Sequence, residues 1–255
     1  MTDTIASEWW KVRTVRSTYW LLATVGAVFA VGCLSTVLMV ADWDTASPSA
    51  KEAFPSADMS PLVLPFVQFC AGAFGAFALT SEYGSGMIRT TLTTVPRRGL
   101  LFTAKALVVA GLTVATGLVL TFAMLGGAGV IAGDRPAPIQ PWPSLADGVP
   151  SALASAVVLT VTAIVGFGLG ALLRSAAGAL VTLTGLLFVL PVAATFLPAD
   201  WSRPVGALTL NNLGPQLAGE VGDPVLSPVG AALVLGGYVL LALGAGAFSV
   251  LRRDA

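Results

Sequence analysis

Six apolar stretches decide what this chain can fold into: residues 19–41, 61–80, 100–132, 149–173, 176–197 and 226–251. Each is long enough to cross about 30 Å of hydrocarbon as a helix, which takes roughly 20 residues at about 1.5 Å apiece. A barrel strand would alternate apolar and polar residues, and these runs do not; helices are then the spanning form that satisfies every backbone N–H and C=O. Of the 255 residues 56% are hydrophobic and 10% charged, against roughly 25% charged in an ordinary soluble domain. The expected fold is therefore an all-α polytopic membrane protein with six transmembrane helices, residues 1–255 forming a single transmembrane domain. The first run exceeds the 7–15 residues typical of a signal-peptide core and reads as a retained span. The third is longer than a bilayer requires, so it is expected to tilt or to emerge near Lys105.

Orientation follows from the lysines and arginines, which collect in cytoplasmic loops. Lys11, Arg13 and Arg16 precede the first span, and Arg89, Arg97, Arg98 and Lys105 lie between the second and third. Arg174 separates the fourth and fifth, and Arg252 and Arg253 follow the sixth. The other side receives only Lys51, Arg135 and Arg203, with the acids Asp42, Asp44, Glu52, Asp58, Asp134, Asp147, Asp200, Glu220 and Asp223. An even number of crossings with both termini cytoplasmic gives this partition, which suits a multi-pass protein of the cell membrane. The outer loops carry turn formers, Pro48, Pro55 and Pro61 in the first and Pro136, Pro138, Pro141 and Pro143 in the second. The third, 198–225, is moderately apolar, with Trp201, Leu208, Leu210, Leu213 and Leu217. Two readings stand for it: an exposed loop, or a re-entrant element of one or two short helices before span six.

Several functions are disfavoured. The chain has no histidine, the commonest general base and metal ligand, and neither a catalytic residue nor a metal site is expected. Cys33 and Cys70 lie inside apolar runs, where a thiol behaves as a small hydrophobe. The middles of the spans carry no charge, which argues against a proton relay or an intramembrane protease. A net charge of zero gives no reason to expect nucleic acid. There is no glycine-rich phosphate loop ending in lysine and serine or threonine, so any ATP chemistry belongs to another chain.

Two segments carry more information. Residues 1–18 and the first residue of the following span place Ile5, Trp9, Val12, Val15 and Tyr19 on one helical face, with Lys11 and Arg13 off it, while Glu8 and Arg16 fall on or near the apolar stripe. This suits either an amphipathic helix lying at the cytoplasmic interface or a basic, aromatic flank that only orients the first span. Between spans two and three, Gly84 and Gly86 can end a helix and Pro96 ends whatever follows. Met87, Ile88, Thr91, Leu92 and Val95 recur at helical spacing there, with Arg89, Thr90, Thr93 and Thr94 on another face. A short amphipathic helix is expected, with Arg97 and Arg98 at the headgroups; the alternative is that these arginines merely set orientation.

The opening Glu8-Trp9-x-Lys11-x-Arg13 and the later Ser17-Thr18-Tyr19-Trp20 resemble the permease subunits of type 2 ABC exporters. So, above all, do Glu82-Tyr83-x-x-Gly86-x-Ile88-Arg89-x-Thr91-Leu92 and the following Pro96-Arg97-Arg98. The resemblance covers the topology of the whole chain, but its specific residues lie within roughly the first hundred. It implies that Glu82, Tyr83, Gly84, Gly86, Arg89, Thr90, Thr91, Pro96, Arg97 and Arg98 form a coupling helix and its flanks, gripped by a separate ATPase. Arg89 would face that ATPase or the interfacial helix, and Glu82 would partner nearby arginines. It also implies two ATPase copies that carry ATP and magnesium, a second permease, identical or related, and no cofactor on this chain. A substrate path between the two permeases would be lined by spans two and five, which makes Gln68, Phe69, Thr184 and Phe188 weak candidates beside ordinary packing. Without buried charge, that path suits an amphipathic or lipid-like cargo, such as a drug or antibiotic. The competing readings are an ATP-independent secondary carrier or channel, a membrane-embedded enzyme, and a non-transporting sensor or assembly partner.

Overall fold

The computed structural model of the chain describes residues 2–84 and 98–252. All regular structure among them is helical, and six helices are long and apolar enough to cross a membrane. They run Arg16–Thr45, Ser60–Gly84, Arg98–Ala132, Val149–Leu173, Ala176–Thr195 and Pro228–Arg252, here called spans one to six. The expected runs are recovered within a few residues. The extensions lie at polar ends, where hydropathy falls while the helix continues. Span two gains a turn that carries Glu82 and Tyr83, and is described as far as Gly84.

Span four is the axis of the bundle: 72% of its apolar window is buried, against 11% for span one. Its sequence explains why. Gly166 faces the backbone of Gly72 in span two, and Gly75 faces the Ala163 carbonyl of span four, so closely that a Cβ at either glycine would collide with main chain. A Cβ on Gly170 would lie 2.7 Å from the Ala76 carbonyl oxygen, and one on Gly168 would meet Ala242 of span six. Small residues let membrane helices approach to backbone contact, where dispersion replaces the hydrophobic force that lipid cannot supply. Around this seam pack Leu79, Phe102, Val109, Phe167 and Ala171 at one end, and Met59, Val63, Val67, Met124 and Leu159 towards the other.

Threonines within the spans bond to their own helices: Thr36 to the Gly32 carbonyl, Thr113 to Val109, Thr160 to Ala156, Thr182 to Gly178 and Thr184 to Leu180. Span five contains a π-turn over Gly185–Val189, which displaces carbonyls from the regular ladder. Asn211 donates to one of them, the Leu187 carbonyl, at 2.8 Å. Asn211 belongs to the second of two short helices, Ala199–Ala207 and Leu210–Ala218, that make up most of the third long loop. Leu210 and Leu213 are fully buried against Val158, Val161, Leu183, Leu187 and Leu235, which is why this loop reads as apolar.

The two ends of the bundle are stitched differently. At the end far from the N-terminus, Arg135 makes a bidentate pair with Asp44 at 2.8 and 2.7 Å. Nearby the Ala57 amide donates to the Ile139 carbonyl at 2.9 Å, and the Lys51 ammonium lies 4.4 Å from the Trp43 ring centre. Arg203 pairs with Asp223 beside the two short helices.

Candidate functional site

The N-terminal helix runs from Thr2 to Thr14. Val15 then takes extended dihedrals (φ −82°, ψ 124°), and span one starts at Arg16. β-Branched Val15 suits that conformation, and the Tyr19 hydroxyl fixes the corner by donating to the Arg13 carbonyl at 2.7 Å. That carbonyl is one of those a helix C-terminus leaves unpaired. The N-terminal segment is thus a separate helix that ends at Thr14, four residues before the expected boundary at Thr18. Trp9, Trp10, Arg13 and Arg16 are exposed, with the Arg13 guanidinium 5.3 Å from the Trp10 ring centre.

Glu8 is 4% exposed and points at spans two and three. Its Oε2 accepts from Lys105 Nζ at 2.5 Å and its Oε1 from Lys11 Nζ at 2.7 Å. Glu82 Oε1 accepts from the same two lysines, at 2.7 Å from Lys105 and 2.9 Å from Lys11. Lys105, 3% exposed, also reaches the Ala78 carbonyl at 3.4 Å. Two carboxylates and two ammonium groups thus alternate in a neutral ring that joins the N-terminal helix, the last turn of span two and the second turn of span three. Burying charge costs several kcal/mol per ion unless it is paired and hydrogen-bonded, and this geometry supplies both. Burial opposes the charge on Lys11, but its hydrogen bonds to Glu82 and Glu8 and their negative charges outweigh it, so its pKa stands above the ordinary 10.5. The ring lines a cleft of about 170 Å³ with Thr18, Phe77 and Ser81.

Tyr83 is held from the other side. Arg174 ends span four in the left-handed region (φ 52°), normally a glycine position. Its guanidinium lies 5.3 Å from the Tyr83 ring centre and donates to the Ser249 carbonyl of span six at 3.2 Å. Arg98, half-buried, opens span three. Gly86, Arg89, Thr90, Thr91, Pro96 and Arg97 lie outside the described residues, as does the body of the expected coupling helix. The partners described for Glu82 are Lys11 and Lys105, the latter a residue the sequence reading assigned only to orientation.

A family model for the ABC-2 family transporter protein matches residues 4–196, from the N-terminal helix through span five. The chain belongs to the ABC-2 transporter membrane family. It is a multi-pass membrane permease, and the ring of charges in it lies wholly within the matched residues. No curated protein matches the chain.

Of the four residues weighed for a substrate path in this permease, the structure brings together two. Phe69 of span two and Phe188 in the π-turn of span five have ring centroids 6.2 Å apart, with Phe66, one turn earlier in span two, 6.3 Å from Phe188. Gln68 is buried, and its Oε1 has no hydrogen-bond partner among the described residues. Thr184 is exposed, its hydroxyl committed to the Leu180 carbonyl.

Proposed function

We propose that this permease exports an amphipathic or lipid-like substrate, driven by ATP that a separate subunit binds and hydrolyses. The observation that carries this reading is the charge ring that joins the described residues on either side of segment 85–97. A loop that only connected two spans would need no buried charges at its root. A loop that takes force from a motor needs both of its roots, Glu82 before it and Lys105 after it, tied to one body. The N-terminal helix supplies that tie through Glu8 and Lys11, so that a pull on the loop moves spans two and three together with the helix.

In this mechanism two ATPases close on ATP and draw the loops of two permeases, identical or related, and the spans tilt between inward- and outward-open forms. The loop and both termini then lie on the cytoplasmic side, a placement that the lysine and arginine distribution supports. Arg89, Thr90 and Thr91 are the residues assigned to the motor contact, and Arg97 and Arg98 to the headgroups. ATP and magnesium belong to the motor, and this chain performs no catalysis of its own.

Arg89→Glu tests the assignment. Membrane insertion should be normal and transport by the complex with its ATPase lost. Parental transport by a normally inserted Arg89→Glu protein would refute the role of that residue. Transport by the chain reconstituted alone would replace the reading with a secondary carrier.

A further inference from the structure

Span one stands off from spans two and three near the N-terminal end, leaving an apolar cavity of about 380 Å³. That lies within the roughly 300–1,000 Å³ of sites that hold small organic ligands. Leu22 of span one, Val67 and Phe74 of span two and Leu120 of span three are among its walls. Along span three the lining extends from Leu112 to Leu120, about 12 Å of helix at roughly 1.5 Å per residue. Its polar end is formed by Arg13, Thr18 and Tyr19, and Arg13 is the one ionised residue among those lining it. The site is an apolar slot with a single cationic residue among its lining, at the level where the amphipathic N-terminal helix lies.

We propose that this slot holds one acyl chain of an anionic phospholipid from the surrounding bilayer, with its phosphate on Arg13. Charge complementarity selects the occupant. An uncharged apolar molecule would leave the Arg13 guanidinium with the Trp10 ring beside it and no acid among the described residues, and a free phosphate would leave the slot empty of carbon. Val12, Thr18, Leu21 and Phe74 are shared with the cleft that contains the charge ring, so the lipid abuts the ring and props the corner at Val15. This inference rests on the membrane fold alone and is independent of cargo and motor.

Cys70 lines the slot, which makes its alkylation a local readout. The full chain carrying Cys33→Ser would be extracted in a mild non-ionic detergent and offered phosphatidylglycerol, phosphatidylcholine or glycerol phosphate. Native mass spectrometry counts what is retained, and a small thiol reagent reports access to Cys70. Phosphatidylglycerol should be retained at one per chain and should slow Cys70 alkylation about tenfold. It should bind about fivefold to tenfold more tightly than phosphatidylcholine, the effect of one basic residue near an anionic headgroup. Glycerol phosphate should do neither. Arg13→Gln should bring phosphatidylglycerol down to the phosphatidylcholine level, and Thr116→Trp, which fills the slot, should abolish retention. Equal binding of the two lipids, an unchanged Cys70 rate, or undiminished retention by folded Thr116→Trp would overturn the proposal. So would protection of Cys70 in lipid-free dimers, which would assign the slot to a second copy of the chain. Should Thr116→Trp fail to fold, Cys70 protection in the otherwise unaltered slot still decides.

Discussion

Spans two and four meet through glycine, whereas the N-terminal helix meets spans two and three through four charges. The first seam lets backbone touch backbone at Gly72–Gly166 and Gly75–Ala163, with no room for a side chain between the two helices. The second is a ring of long, flexible side chains around a cleft, with a cavity beside it. Close-packed interiors resist continuous deformation, so motion in this protein is expected at the second seam and not the first. The contrast separates a rigid axis from a clamp that can transmit or release force.

The largest expected effect comes from breaking the axis. Gly75→Leu drives a side chain into the Ala163 carbonyl, where no rotamer can relieve the clash. Overpacking costs about 1–3 kcal/mol in a forgiving core and more where backbone must move. Thermal unfolding in detergent should show little or no folded protein, while Gly26→Leu, with nothing within 4 Å of its Cβ, should unfold like the parent.

Breaking the clamp should cost less and act locally. Lys105→Met leaves Glu8 and Glu82 buried with one lysine between them, and removing one partner of a buried pair costs about 3–5 kcal/mol. The expected signature is protease access to the N-terminal helix at a temperature where the six spans remain helical by circular dichroism. Adding Glu82→Gln restores neutrality and should recover most of the loss.

Alkali sharpens the same point. The pKa of Lys11 is raised in the folded protein, so its contribution to docking is complete below about 10.5 and is lost as pH climbs through the higher folded value. Because Lys11 is a third exposed, the effect should be modest. Trp9 and Trp10 fluorescence should report undocking above pH 10.5 in the parent, and Lys11→Met should flatten that transition. At the small end, Arg135→Ala removes an exposed pair at the far end of the bundle and should leave thermal unfolding unchanged.

The spans were legible because hydropathy is a one-dimensional property. The axis is written in the sequence as small-residue faces: Gly72, Gly75 and Ala76 in span two, and Ala163, Gly166 and Gly170 in span four, recur at helical spacing. The clamp was half visible. Glu8 stood out as an acid on an apolar stripe and Lys105 as a cation inside an apolar run, but 97 positions separate them and nothing local pairs them. Assigning Lys105 to orientation alone hid its partner. The third long loop showed its apolar residues, yet only tertiary packing reveals that Leu210 and Leu213 complete the core.

The most direct measurement is ATP-dependent transport by the permease reconstituted with the ATPase that copurifies with it, comparing the parent, Lys105→Met and Lys105→Met/Glu82→Gln. If the charge ring transmits the pull of the loop, the single variant should bind the ATPase normally but lose transport, and the double variant should regain a substantial part of it. Parental transport by Lys105→Met, with its N-terminal helix demonstrably released, would contradict the account.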